Sequence, residues 1–285
     1  MIFHAALAQI NPVLGDVQAN IKTHFEYINQ AMEHGAKLIV FPELSLTGYT
    51  LRDLTPAVAL RKDAILLEPF RKKSEEITII CGGIEEDDRY GLYNSAFVFD
   101  RGAVHTHRKV YPPDYSIFEE RRYVLNGKRA TCIHTSAGAL GILVCEDLWH
   151  LSMPLLLALE GAECIVTIAS SPTRMAAGEE LTNFTINSEN HRAYARLLST
   201  YMLFVNRTGF EDGVNFWGGS ELISPFGNVV SSAPLIEEAM IFTEIDQDIV
   251  RRARQQARHF MDEQPEILRA ELKRILKEHE RETTP

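Results

Sequence analysis

The stretch Gly141-Ile142-Leu143-Val144-Cys145-Glu146-Asp147-Leu148-Trp149-His150 decides how the rest of the chain is read. A short apolar run stops at a cysteine, two acids follow, and a new amphipathic segment begins. The run is strand-like, so the thiol would stand at the carboxyl end of a buried strand, where open α/β sheets carry their reactive groups. A core cysteine behaves as a small hydrophobe and would look much the same taken alone. The rest of the sequence has to separate the two readings.

A chain of 285 residues can bury one large core or two ordinary ones, and 45% hydrophobic with 24% charged residues is the composition of a soluble globular protein. Twenty-nine basic against 39 acidic side chains give a net charge of −10, which argues against nucleic acid or an anionic membrane as partner. Met1-Ile2-Phe3-His4 has neither a basic nor a long apolar character, so no signal peptide is expected and the expected compartment is the reducing cytoplasm. Apolar runs such as 153–159 are too short to span a bilayer. Cys81, Cys132, Cys145 and Cys164 form no CxxC pair, and the first, second and fourth sit inside apolar runs as buried thiols. Only Cys145 stands where a run ends.

Working outward, strands are expected at 3–10, 37–41, 77–84, 93–100, 103–108, 130–134, 139–144, 164–170, 201–206, 218–224, 228–232 and 239–245. Helices are expected after Asp16, closed by Gly35, and over 56–73, 153–160 and 179–199. Residues 111–128 read as loop. Helices alternating with strands, several of them joined by tight turns, imply a mixed sheet with helices on its outer faces. No linker or repeat interrupts 1–245, which is read as one domain. Residues 246–285 differ: a charged helical tail carries Leu268, Leu272, Ile275 and Leu276 on one stripe, which must pack on its own subunit or across a dimer.

Two further strands share the design of the opening stretch. Phe41-Pro42-Glu43 ends in a carboxylate and His107-Arg108-Lys109 in an ammonium. Together with Cys145 these are a complete chemical set. The carboxylate can take the thiol proton, the thiolate can attack, and the ammonium can steady an oxyanion. Taken singly, Glu43 could cap a helix and Lys109 could be a solvated surface lysine. The ten histidines form no metal-binding spacing beyond His105-Thr106-His107, which reads as two surface residues, so a metal hydrolase is disfavoured and no metal site is expected.

Phe41-Pro42-Glu43-Leu44, Arg108-Lys109-Val110-Tyr111 and Cys145-Glu146-Asp147, followed by Asn206-Arg207-Thr208-Gly209 and Gly218-Gly219-Ser220, resemble the nitrilase (carbon–nitrogen hydrolase) superfamily, in order, over residues 1–245. The resemblance implies a four-layer α-β-β-α sandwich with a C-terminal helical extension, a Glu43-Lys109-Cys145 triad without metal or organic cofactor, and a homodimer or higher homo-oligomer. It also gives Glu120, in Phe118-Glu119-Glu120, a second catalytic role beside Lys109. The backbone N–H of Glu146 would join Lys109 around the oxyanion. Cys145-Glu146-Asp147-Leu148-Trp149, rather than Cys-Trp-Glu, and Phe41 to Tyr49 resemble the glutaminase domain of glutamine-dependent NAD synthetases. In that branch Tyr49, Tyr115, Glu146, Trp149 and Ser171 would line the substrate pocket.

Two departures matter. No Gly-rich phosphate loop is present, and Ser170-Ser171-Pro172-Thr173-Arg174 lacks the family's following Gly-Lys. The expected activity is therefore hydrolysis of a small primary amide. A nitrile or an N-carbamoyl substrate would use the same triad. A non-catalytic interaction module that kept the fold is the alternative of another class.

Overall fold

The structure is a computed structural model, and it describes residues 1–173 and 182–283. In chain order the first half supplies β1 (Ile2–Gln9), α1 (Val17–Glu33), β2 (Ala36–Val40), α2 (Glu68–Lys73), β3 (Thr78–Glu86), β4 (Leu92–Asp100) and β5 (Ala103–Arg108). Then come β6 (Cys132–Thr135), β7 (Gly138–Val144), α3 (Ser152–Leu159), β8 (Cys164–Ala169), β9 (Pro172–Thr173), α4 (Thr182–Leu198) and β10 (Tyr201–Asn206). The chain continues with β11 (Thr208–Glu211), β12 (Val214–Trp217), β13 (Glu221–Ile223), β14 (Val229–Ser232), β15 (Ala239–Asp246), α5 (Gln247–Gln256) and α6 (Pro265–Thr283).

Two six-stranded sheets result, ordered β15-β1-β2-β3-β4-β5 and β14-β13-β10-β8-β7-β6. The period of two in each strand decides how they stack. Phe3, Ala5 and Leu7 of β1 and Leu38 and Val40 of β2 meet Ile142, Val144, Val166, Ile168, Leu203 and Val205 of the other sheet in one apolar layer. The alternate residues Ala6, Ala8 and Ile39 face outward against Ile28 and Ala31 of α1 and Phe70 of α2. On the far side Leu143, Ile165 and Met202 pack against Met153 and Leu157 of α3 and Ala195 of α4. The order of layers is α-β-β-α. Each fully buried Val, Leu or Ile contributes about 1.5–3 kcal/mol, so the inter-sheet layer is the main source of rigidity beneath the strand ends.

Strand direction places the site. β2 runs parallel to β3, β4 reverses, and β5 reverses again, so β2 and β5 end on the same side of their sheet. β7, β8 and β10 are mutually parallel, so their carboxyl ends also lie together.

Several expectations need correction. Residues 56–73 are not one helix: 3-10 turns at Arg52–Val58 and Ile65–Leu67 precede α2. Leu60 interrupts them because its N–H donates to the Ile84 carbonyl and its own carbonyl accepts from Glu86, a backbone bridge beside β3. The strand expected over 218–224 is only Glu221–Ile223, since Gly218 and Gly219 have φ of +70° and +61°. The hairpin β11–β12 was not expected at all; with β9 it forms a third small sheet. Arg174 and the expected helix start at Glu179 lie outside the described residues, where α4 begins at Thr182. In the tail, Leu268, Leu272, Ile275 and Leu276 are 42%, 52%, 39% and 54% exposed, so the stripe does not pack on its own subunit. No described helix is long and apolar enough to cross a membrane.

Candidate active site

Glu43, Lys109 and Cys145 follow β2, β5 and β7, and the three strand ends meet. Lys109 is fully buried, and its Nζ donates to Glu43 Oε1 at 2.8 Å and Glu120 Oε1 at 2.7 Å. Asn94 on β4 turns its Nδ2 to both carboxylates, 2.7 Å from Glu43 Oε1 and 3.2 Å from Glu120 Oε2. Ser170, one residue past β8, donates its backbone N–H to Glu43 Oε2 at 2.7 Å and its hydroxyl to the Glu43 carbonyl at 2.9 Å. Every oxygen of the Glu43 carboxylate is thus held by a donor from a different strand end. The chain can pass this close over β3 because residue 82 is glycine: a Cβ there would overlap the backbone of Glu43 and Leu44.

Charge inside the cluster follows from burial and neighbours. Burial alone would push the Lys109 ammonium down, but Glu120 and Glu43 outweigh it and hold the group well above the usual lysine range. The Glu120 carboxyl goes up, chiefly through burial; Lys109 opposes that rise and Glu43 adds to it. Tyr49 O–H donates to Glu120 Oε1 at 2.6 Å, and burial with the Glu120 and Glu43 charges holds its phenol well above the ordinary tyrosine range.

Cys145 has φ of +48°, in the left-handed region that a residue with a Cβ rarely adopts. Such a conformation costs about 1–3 kcal/mol, and the side chain packs both on the inter-sheet layer that buries Val144 and on Ala169, Phe204 and Trp217. Burial raises its thiol well above the free value, and Glu43 raises it further. Lys109 and a backbone hydrogen bond from Ser170 pull the other way. Of the three charged neighbours Glu43 acts most strongly on the thiol. A resting neutral thiol beside a hydrogen-bonded carboxylate suits proton transfer coupled to attack.

A second group joins the two sheets just behind these residues. Asp147 is fully buried; its Oδ1 accepts from the N–H of Val110 at 2.9 Å and Tyr111 at 3.0 Å, immediately after Lys109. Its Oδ2 takes the N–H of Val144 at 3.1 Å and faces His107 Nε2 at 3.0 Å. One carboxylate thereby clamps the backbone beside the lysine to the backbone beside the cysteine. His107 is buried in this clamp, which corrects its reading as a surface residue; His105 is exposed as expected.

A third group fixes Tyr49. Glu211 Oε1 accepts from the N–H of Tyr49 at 2.9 Å and of Thr50 at 2.6 Å, and Arg207 Nη1 donates to Glu211 Oε2 at 2.7 Å. Arg207 also donates to Asn11 Oδ1 at 3.0 Å and stacks on Phe216. Removing one partner of a buried pair leaves the other charge without compensation, at about 3–5 kcal/mol. Glu211→Ala is expected to lose stability on that scale in denaturant unfolding; a change below about 1 kcal/mol would contradict the arrangement.

The expected pocket residues are placed unevenly. Tyr49 touches the Glu43-Lys109-Glu120 cluster directly. Tyr115 O–H donates to Glu146 Oε2 at 2.9 Å, beside Cys145. Ser171 is held by Asn206, which accepts its N–H at 2.8 Å, and its Oγ accepts from Trp217 Nε1 at 3.1 Å. Trp149 is 49% exposed at the far end of the turn after Cys145, with no polar or ring contact to the cluster among the described residues. Trp217 was missed; it packs with Phe204 and Ala169 against Cys145.

A sandwich of this topology, with a thiol, a lysine and two carboxyl groups at converging strand ends, places the molecule in the nitrilase superfamily. The sequence model of that family, "Carbon-nitrogen hydrolase", matches residues 4–255. Among curated proteins, glutamine-dependent NAD(+) synthetase of Thermotoga maritima is 32% identical over 248 residues, 85% of this chain and 42% of that protein. Chloroplastic omega-amidase of Arabidopsis thaliana is 29% identical over 269 residues, 88% of this chain and 70% of that one. The crystal structure of a carbon-nitrogen hydrolase from Helicobacter pylori G27 has the same fold, with a TM-score of 0.81 at 22% identity over 95% of this chain and 99% of its own. The chain spans less than half the length of the NAD synthetases it matches, 44% for that of Acinetobacter baylyi. This chain belongs to the carbon–nitrogen hydrolase family.

Proposed function

We propose that the chain is a cysteine amidase, hydrolysing a small primary amide to a carboxylic acid and ammonia through a thioester on Cys145. What carries the reading is the thiol held at φ +48° beside a lysine that bridges two buried carboxyl groups.

Glu43 takes the thiol proton as sulfur attacks the amide carbon. The developing oxyanion is met by the Lys109 ammonium and the backbone N–H of Glu146. Collapse breaks the carbon–nitrogen bond; the departing nitrogen takes the proton from Glu43 and leaves as ammonia. Glu43 then draws a proton from water, the hydroxide adds to the thioester carbonyl, and the proton returns to sulfur as the acid leaves. Glu120 and Asn94 keep Lys109 and Glu43 in register through these steps, and Tyr49 fixes Glu120. Glu43 carries each proton in turn between sulfur, the leaving nitrogen and water.

The names of the relatives support a narrower class of amide. NAD synthetases named as glutamine-dependent and an omega-amidase both support an amide at the end of a short carboxylate-bearing chain. The Glu146 carboxylate, next to Cys145 in sequence and hydrogen-bonded by Tyr115, would meet an ammonium on such a substrate. The uncovered stripe of α6 supports a homodimer in which the tail packs on a second chain.

Ammonia release over glutamine, other ω-amides, aliphatic and aromatic amides, N-carbamoyl amino acids and matched nitriles tests the reading. Amides, the ω-amides first, should exceed their nitriles by about 100-fold or more, about 2.7 kcal/mol in barrier. Turnover of nitriles alone, or carbon dioxide released from carbamoyl substrates at the highest rate, would reject it.

A further inference from the structure

Behind the catalytic lysine, on the other side of His107, lies a second cavity of about 520 Å³. Lys62, Arg108, Lys128 and Arg129 line it together with His107, Tyr93, Thr106 and Asn126, and no carboxylate does. This is unexpected in a chain of net charge −10.

The neighbouring acids are already engaged. Glu85 and Asp87 are bonded to Arg108, whose charge they offset. Asp63 and Asp88 are bonded to Arg61. Lys62, Lys128 and Arg129 are exposed and have no ion-pair partner among the described residues. Charges farther away than about 8 Å are screened at physiological ionic strength, so the lining and not the overall charge decides what the cavity attracts. Three cations without an ion-pair partner among the described residues line one concavity, and an anion held between them is attracted by all three.

The loop that carries two of these cations is fixed. Gly127 N–H donates to the Lys109 carbonyl at 2.7 Å, and Asn126 Nδ2 donates to the Val110 carbonyl at 3.0 Å. The approach demands glycine, because a Cβ at residue 127 would overlap the Arg108 carbonyl oxygen. Lys128 and Arg129 are therefore presented from backbone bonded to the catalytic strand end. Tyr93, Thr106 and Asn126 add neutral hydrogen-bonding groups, and His107 closes the inner wall with its Nε2 turned away to Asp147.

We propose that this cavity is a binding site for a small oxyanion, the phosphate or carboxylate group of a metabolite, separate from the site at Cys145. Its recognition chemistry is charge-assisted hydrogen bonding from lysine and arginine.

Isothermal titration at constant ionic strength, with inorganic phosphate and with succinate and with chloride as control, tests it. Wild type should bind at least one of the two saturably with one site, and the pair distinguishes phosphate from carboxylate recognition. Lys62→Ala/Lys128→Ala/Arg129→Ala should bind at least tenfold more weakly, and Lys128→Glu alone should also weaken it. Cys145→Ala should keep wild-type affinity, because the thiol lies across the clamp. Unchanged affinity in the triple variant, or no saturable binding of either anion in the millimolar range, overturns the proposal. The readout is binding and does not depend on amide turnover.

Discussion

Lys109→Met is expected to lose about 10³-fold or more in kcat/KM and to unfold markedly more easily as the pH rises. The rate loss follows from removing the cationic donor proposed for the oxyanion, since one preorganised donor accounts for about 10²–10³-fold and this one also holds both carboxyl groups in place. The stability loss follows from burial. Glu43 and Glu120 are bonded to the same ammonium at 2.8 and 2.7 Å, and no other cation bonds either carboxylate among the described residues. Breaking such a pair costs about 3–5 kcal/mol.

The sign of the pH effect comes from Glu120. Its carboxyl is raised in the fold, mainly by burial, with Lys109 opposing the rise and Glu43 adding to it. A raised carboxyl favours the protonated form in the fold, so its contribution is present below the unfolded value, about 4.3, and is lost as pH climbs through the folded one. Without Lys109 that window moves upward. Thermal melts should place the variant nearest wild type at about pH 5 and furthest below it at about pH 8. A deficit independent of pH would mean that Lys109 does not carry the charge balance of the cluster.

Cys145→Ala is expected to leave a folded protein and to lower turnover by roughly 10⁴-fold or more, the scale on which covalent nucleophiles are lost. The substituted alanine has the same left-handed backbone to satisfy, so stability should change by no more than about 1 kcal/mol. The loss falls on the chemical step, because the proposed pocket residues Tyr49, Tyr115 and Ser171 are untouched. An unaltered KM with a collapsed kcat is the expected pattern when substrate dissociates faster than it reacts.

Glu43, Lys109 and Cys145 were legible in the sequence because each interrupts an apolar run with a reactive group, and strand ends on one side of a sheet converge. Glu120 was legible only through family resemblance, since a loop acid carries no periodicity. Asp147 with His107, Asn94, Ser170 and the Arg207–Glu211 pair were not legible as parts of the site. Their partners lie far along the chain, 40 residues for His107 and Asp147, 127 for Ser170 and Glu43, and 162 for Tyr49 and Glu211. Local windows do not contain such distances; only the stacking of the two sheets brings them together.

Most strands were legible to within a few residues, because alternation in a half-buried strand is a local property. The failures have local causes too. Residues 56–73 carry an apolar pattern, yet Leu60 spends its backbone on β3. The strands of the β11–β12 hairpin are only four residues each, too short for a period to show, and they bring Glu211 and Phe216 against Tyr49. The tail's stripe was read correctly as apolar and helical, but no described residue of the single chain covers it.

Covalent chemistry at Cys145 is tested most directly by acid-quenched intact mass spectrometry during amide turnover, with peptide mapping and Cys145→Ala run in parallel. Wild type should gain the mass of the acyl group on the peptide containing Cys145, hydroxylamine should remove it, and the variant should neither gain it nor release ammonia. An adduct mapped to another residue, or ammonia release by Cys145→Ala above background, would contradict the thioester.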